Sequence, residues 1–278
     1  MKVLITGARG MLGQELVRVF ERGNEVTAWD FEDLDVTDKK LVEEKLLALE
    51  PELIINAVGY NNVDRAESEP EKANAVNGEA VGYLAAAAKQ LDIPIVHYST
   101  EYVFDGENQD GYREDARPNP ISAYGQSKYL GEQRLSENTE KFYLIRLSRL
   151  FGKPGSSAEA KESFIVKMLA AGEKGEIDGV DGEWSMPTYA PDLAQRTRFI
   201  VDRKFPFGIY HCTSTGPAPS WYDLAVEIFK ILGRSVKVNH VDATARPAKR
   251  PKYGVLVNTK ISAPMRDWRE ALREFLTK

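Results

Sequence analysis

Residues 2–13 read KVLITGARGMLG, and this stretch decides the fold. An apolar run, residues 2–6, stops at Gly7, and Gly10 and Gly13 follow before a helical pattern takes over, with Leu12, Leu16, Val19 and Phe20 on one face of residues 11–22. Such a turn gathers backbone N–H groups and the positive end of a helix dipole at one point, and missing side chains let a pyrophosphate come close. A glycine triplet alone is weak evidence. Here the strand-turn-helix context is met, and the next β-like stretch, EVTAWD (25–30), ends on an acid, Asp30. A carboxylate there accepts hydrogen bonds from a ribose diol and repels a 2′-phosphate, so the expectation is NADH or NADPH with NADH slightly preferred.

The pattern then repeats. LVEEKLLALE (41–50) is a helix with Leu41, Leu46 and Leu49 on its apolar side, ELIINAV (52–58) a strand, and EAVGYLAAAAKQL (79–91) an alanine-rich helix. PIVHYST (94–100) and FYLIRLS (142–148) are strands on either side of a helix over 122–137. Near-continuous apolar strands alternating with helices imply an α/β protein whose parallel sheet is covered on both faces, and right-handed crossovers make it doubly wound and Rossmann-like. The pattern changes near residue 150. GKPGSS (152–157) is a loop, FIVKMLAAGEKG and YAPDLAQRTRFIVD are helices, and FGIYHC (207–212) is a strand. SWYDLAVEIFKILG (220–233) is a helix with a Ser cap and a Gly stop, read as packing a core rather than binding a ligand. The expected organisation is a dinucleotide-binding domain over 1–150 and a smaller substrate lobe over 151–278, some of whose elements return to the main sheet.

Composition excludes several classes. The 278 residues are 42% hydrophobic and 28% charged with a net charge of −5, which argues against a nucleic-acid partner. The single cysteine, Cys212, permits no intrachain disulfide and reads as a small buried hydrophobe in a reducing compartment. No apolar run reaches membrane-spanning length and the N-terminal stretch is no signal peptide, so the expectation is a cytoplasmic protein with no membrane partner. His97, His211 and His240 show no metal-ligand spacing, and no metal site is expected.

Two stretches carry candidate chemistry. In AYGQSKYLGE (123–132), Tyr124 and Lys128 stand four apart and so share a helix face. A free tyrosine titrates near pH ~10. A neighbouring ammonium favours the phenolate and would lower that value, making the pair a proton donor and its tuner. HYSTEYVFDG (97–106) runs from strand into loop, where the Ser99 and Thr100 hydroxyls either meet a substrate carbonyl or simply form the turn.

Glycine loop, hydroxyl pair and Tyr-x-x-x-Lys in this order resemble the extended short-chain dehydrogenase/reductases. NAVGYNNVDRAESEP (56–70), STEYVFDG (99–106), NPISAYGQSKYLGE (119–132), PTYAPDLA (187–194) and RPAKRPKYGVLVNTKI (246–261) narrow the resemblance, over nearly the whole chain, to the dTDP-4-dehydrorhamnose reductase family. That family reduces the C4 ketone of dTDP-6-deoxy-L-lyxo-4-hexulose to dTDP-L-rhamnose. The resemblance implies that Thr100, Tyr124 and Lys128 are catalytic: Tyr124 donates the proton, Lys128 tunes it and holds the nicotinamide ribose, and Thr100 hydrogen-bonds the ketone. It places Gly10, Met11, Leu12, Asp30, Asp35, Val36, Gly59, Tyr60 and Asn61 around the dinucleotide, beside Gly7 and Gly13 of the glycine loop. Glu101 and Tyr102 fall near a nucleotide-sugar substrate, and a homodimer is a candidate assembly. The same machinery serves nucleotide-sugar epimerases and dehydratases, and a non-catalytic nucleotide-binding regulatory subunit would keep the fold.

Three departures lie on the substrate side. Glu101 stands where the family usually has Asp, Arg149 where a Trp is common, and DGEWSMPT (181–188) replaces an Asp-Gln-x-Gly-Ser-Pro-Thr stretch. Arg149 is expected either to pair with Glu101, Asp181 or Glu183, or to grip a ligand anion. The basic run Arg246, Lys249, Arg250 and Lys252 is either solvated surface or a diphosphate clamp.

Overall fold

A computed structural model describes residues 1–157, 162–242 and 246–278. Its centre is a sheet of six parallel strands: β1 (Lys2–Thr6), β2 (Glu25–Trp29), β3 (Leu53–Asn56), β4 (Ile95–Thr100), β5 (Phe142–Leu147) and β6 (Gly208–His211), in the order β2-β1-β3-β4-β5-β6. The chain winds outward from β1 to β2 on one side and through β3 to β6 on the other. The strand order therefore reverses between β1 and β3, and the crevice beyond their carboxyl ends is where this topology binds ligands.

Both faces of the sheet are covered. One apolar cluster joins Val3, Ile5, Leu16, Phe20, Ile55, Val96 and Ile145 to Leu193 and Ile200, so the helix Ala190–Asp202 of the second half packs beside the helix Met11–Phe20 of the first. The other joins Leu4, Ile54, Ile95 and Leu144 to the helices Lys39–Leu49 and Ala80–Gln90. In Lys39–Leu49 the buried positions are Val42 and Leu46, while Leu41 and Leu49 pack only at the margin, a rotation of the apolar face expected from the sequence.

The glycine loop owes its shape to contact. Gly7 has φ +70°, and a Cβ there would lie 2.8 Å from the Val58 amide nitrogen, so the turn after β1 rests on the turn after β3. A Cβ on Gly13 would lie 2.0 Å from the Gly7 carbonyl oxygen, so only glycine lets the helix fold back on the loop.

The second half has its own core, built from Phe151, Ile165, Ile228, Phe229, Trp268 and Leu272. It includes the helix Trp221–Ile231, whose Ser220 and Asp223 form a reciprocal capping box, the paired strands Glu176–Val180 and Lys237–Val241, and a C-terminal helix, Trp268–Thr277. The strand β6 leaves this half and pairs with β5, and Cys212 just beyond it is buried, its thiol pushed up to about 12 by desolvation. Among the described residues no helix is long and apolar enough to cross a membrane, and no group of His, Cys, Asp and Glu is arranged to hold a metal ion.

Candidate active site

An open groove of about 430 Å³ runs over the carboxyl ends of β1 and β2, lined by Ala8, Arg9, Gln14, Asp30, Glu32 and Ser156. Asp30 sits at its edge. One carboxylate oxygen accepts the Arg9 amide (2.9 Å) and the other the Phe31 amide (2.9 Å), fixing the acid against the glycine loop. The Arg9 guanidinium lies 3.9 Å from Asp30 and pairs with Glu32. The 152–157 loop closes the other side: Gln14 donates to the Lys153 carbonyl (2.8 Å) and the Ser156 amide to the Arg9 carbonyl (2.8 Å). Asp35 and Val36 lie outside this lining. Asp35 closes its own turn through the Thr37 amide and hydroxyl, and Val36 is buried in the core below.

Gly59, Tyr60 and Asn61 follow β3. A side chain missed in the sequence holds them: Asn77, fully buried in a π-helical turn (Ala75–Glu79), accepts from the Tyr60 amide (2.8 Å) and donates to the Tyr60 carbonyl (3.0 Å) and the Ser127 hydroxyl (2.9 Å). The available signal was the Asn-Gly pair inside an otherwise helical stretch, since π-turns cluster at functional sites. Ser127 in turn donates to the Tyr124 carbonyl (2.8 Å), so the loop after β3 is tied to the helix that carries Tyr124.

That helix, Ala123–Asn138, starts at Ser122, whose hydroxyl caps the Gly125 amide (3.1 Å). Tyr124 and Lys128 both face inward and are buried. The Lys128 ammonium donates to the Tyr98 carbonyl (2.7 Å), and burial draws its pKa down to about 8 against the pull of Glu132. The lowering of Tyr124 expected from Lys128 is not what the geometry gives. Burial pushes the phenol above its ordinary value, Glu101 and Tyr102 add to the rise, and only the nearby Thr100 hydroxyl opposes it. The ammonium is committed to a carbonyl, and desolvation dominates. The phenol stays protonated at neutral pH, which is the form a proton donor needs.

Thr100 ends β4 and caps a short 3₁₀ turn, Glu101–Val103. Its hydroxyl accepts the Tyr102 amide (3.2 Å) and donates to the Glu101 carboxylate (2.6 Å). Glu101 is buried, and desolvation raises its pKa to about 7 despite the Thr100 bond and the Arg149 charge. The Tyr102 ring meets Tyr124 edge-on at 5.3 Å.

Across from these, Arg149, Glu183, Ser185, Trp221 and Arg250 line the rest of a narrow cleft with Glu101 and Tyr102. Arg149 has a left-handed backbone, φ +42°, rare for a residue with a side chain. Its guanidinium donates to the main-chain carbonyls of Pro219 (2.9 Å) and Glu183 (2.7 Å) and lies 3.8 Å from the centre of the Trp221 ring. The expected pairing with a carboxylate of Glu101, Asp181 or Glu183 does not form: among the described residues none comes within ion-pair distance of Arg149. The Glu183 carboxylate instead accepts from the Trp221 indole (3.0 Å) and Arg246 (3.2 Å). Arg250 grips Asp64 with two bonds (2.9 and 2.8 Å), so these two arginines of the basic run are paired within the protein. Trp221 is the first residue of a helix whose later turns do fill the core, which is why its place in the cleft escaped a reading by periodicity.

The whole chain, residues 1–278, matches the family described as RmlD substrate binding domain. The chain belongs to this family. It is 37% identical to a dTDP-4-dehydrorhamnose reductase of Streptomyces griseus, over 98% of this chain and 91% of that protein. It is 38% identical to a probable dTDP-4,6-dihydroxy-2-methyloxan-3-one 4-ketoreductase of Streptomyces antibioticus, over 99% and 94%. The crystal structure of dTDP-4-dehydrorhamnose reductase from Bacillus anthracis in complex with NADP superposes with a TM-score of 0.93 at 32% identity, covering 99% of this chain and 98% of that one. The Rossmann-like doubly wound architecture expected from the sequence is thus the architecture of this RmlD-family chain.

Proposed function

We propose that the protein is an NAD(P)H-dependent oxidoreductase that reduces the C4 ketone of a nucleotide-linked 6-deoxy-4-keto-sugar, with dTDP-4-dehydrorhamnose, converted to dTDP-L-rhamnose, as the leading substrate. The observation that carries this reading is the buried, protonated Tyr124 beside Thr100, at the carboxyl end of a parallel strand next to the glycine-loop crevice. The named reductases to which the chain is similar support it.

The residues fit a dinucleotide. Gly7 and Gly13 leave backbone where any Cβ would clash, and Asp30 stands at the groove where a diol would lie. A bound reduced nicotinamide supplies the hydride. Gly7, Gly10, Met11, Leu12 and Gly13 would cradle its phosphates and Asp30 its adenosine ribose. Gly59, Tyr60 and Asn61 flank the crevice, and Lys128 would hold the second ribose. Tyr124 donates a proton to the alkoxide that forms at C4, Thr100 hydrogen-bonds the same oxygen, and Glu101, Tyr102 and Arg149 shape the sugar site. Asp30 favours NADH slightly over NADPH. The test follows oxidation of NADH and NADPH against a panel of nucleotide 4-keto-sugars. Turnover that depends on a 4-keto-6-deoxy sugar supports the reading, and no turnover with any of them would sink it.

A further inference from the structure

We propose that Glu101 decides whether Thr100 can donate a hydrogen bond to the substrate carbonyl: ionised, it withholds the Thr100 proton, and protonated, it releases it. This rests on the reductase reading above and concerns how that site is switched on.

A threonine hydroxyl has one proton and two lone pairs. In the structure one lone pair takes the Tyr102 amide (3.2 Å) and the proton goes to the Glu101 carboxylate (2.6 Å). An ionised carboxylate only accepts, and so does a ketone oxygen. While Glu101 is ionised, Thr100 therefore has nothing left to offer a ketone, and Tyr124 is the lone donor beside it. Protonate Glu101 and the bond can reverse: the carboxyl donates to the Thr100 oxygen, and the Thr100 proton turns toward the same carbonyl that Tyr124 protonates. No heavy atom has to travel, because both arrangements use the contact already present.

The surroundings keep both forms of Glu101 within reach. It is buried, flanked by Tyr102 of its own turn, by Tyr124 of the helix Ala123–Asn138 and by the Arg149 charge beyond β5, with Glu183 and Arg250 in the same cleft. Burial favours the neutral acid, the Thr100 bond and Arg149 favour the anion, and the midpoint falls at about 7. In most buried carboxylates with a close arginine, a direct ion pair would hold the anion. Here Arg149 is spent on two main-chain carbonyls.

The substitution Glu101→Gln tests this, since an amide stays neutral and can donate to Thr100 at every pH. Wild-type kcat should fall by about a hundred-fold as pH rises through about 7, the loss expected when one donor to a developing oxyanion is withdrawn. The kcat of E101Q should stay flat across that range, with the KM for NADH unmoved in both. A decline of the same midpoint in E101Q, or a loss of about a hundred-fold at all pH values in a variant that still binds NADH, would overturn the proposal. An infrared difference spectrum of the protein alone provides a check independent of turnover. A protonated-carboxyl band should be present at about pH 6, fade by about pH 8 and be missing in E101Q; its absence in the wild type at the lower pH would also overturn the proposal. Failure of wild type to reduce any keto-sugar would refute the reductase reading instead, and the infrared result would still judge the Glu101 switch.

Discussion

The Arg149 guanidinium sits over the Trp221 ring, 3.8 Å from its centre, and spends two donors on main-chain carbonyls rather than on an acid. A half-buried cation without a direct counter-charge is expensive, and so is a left-handed backbone at a non-glycine residue; both persist where the surroundings fix them for a purpose. Burial lowers the Arg149 pKa to about 10, yet it remains charged at neutral pH. Arg149→Ala should raise the KM for the sugar nucleotide roughly ten-fold or more, since charge-assisted hydrogen bonds are worth ~1.5–3 kcal/mol. The KM for NADH should barely move, because Arg149 lines the cleft with Glu101 and not the groove with Asp30. An unchanged sugar-nucleotide KM in the folded variant would make Arg149 a structural residue only.

Asp30 sets the second prediction. Its carboxylate is anchored by the Arg9 and Phe31 amides, so its charge is fixed at the groove. NADH should bind at least as well as NADPH, and Asp30→Ala should shift the ratio of affinities toward NADPH by about ten-fold, because a diol acceptor and a phosphate repellent vanish together. Arg9, freed from Asp30, adds a cation on the same side. Titration of both reduced cofactors against both proteins decides it, and a strong wild-type preference for NADPH would contradict the assignment.

Tyr124→Phe removes the proposed proton donor while keeping the ring that packs edge-on with Tyr102. Turnover should drop by ~10²–10⁴-fold with NADH affinity nearly unchanged. A variant with near-native kcat would remove Tyr124 from the chemistry.

How much of this was legible beforehand divides along physical lines. Gly7, Gly13 and Asp30 announce themselves because their spacing follows from local geometry, strand to turn to helix, and the same holds for Tyr124 and Lys128 one helical turn apart. The sheet alternation was readable for the same reason. What the sequence hid are relations between distant segments. Glu183 and Trp221 meet Arg149 from 34 and 70 or so residues away in the chain, and no periodicity reports that. Asn77 was missed because it ties the loop after β3 to the helix that carries Tyr124, a link between distant segments that no local spacing reports. The sign of the Tyr124 shift was misread because spacing says that an ammonium is near, not that it is already bonded to the Tyr98 carbonyl in a dry pocket.

A stability prediction comes from Arg146 on β5 itself. Arg146, wholly buried, holds Glu132 with two bonds (2.9 and 2.6 Å) and reaches His211, whose other ring nitrogen faces the Val257 carbonyl. Burial, then the Arg146 charge, lowers the His211 pKa from 6.5 to about 4. The folded state thus refuses a proton that the unfolded chain accepts. Its contribution to stability is complete above pH 6.5 and is lost as pH falls toward 4. Glu101, raised from 4.5 to about 7, acts in an overlapping window with the opposite sign, favouring the fold less as pH rises. The melting temperature of His211→Gln should therefore be compared with that of the wild type at each pH. The difference between them should change by several °C between about pH 7 and pH 4, in favour of the variant on the acid side. A constant difference would contradict the buried neutral imidazole.

The most direct test of the central claim follows the hydride itself. The protein is given a nucleotide-linked 4-keto-6-deoxy sugar and reduced cofactor deuterated on the transferring carbon of the nicotinamide. One cofactor should be oxidised per sugar reduced, with one deuterium at C4 of the product by nuclear magnetic resonance. An epimerised or dehydrated sugar with no net cofactor consumption, or a reduced sugar without the label at C4, would contradict it.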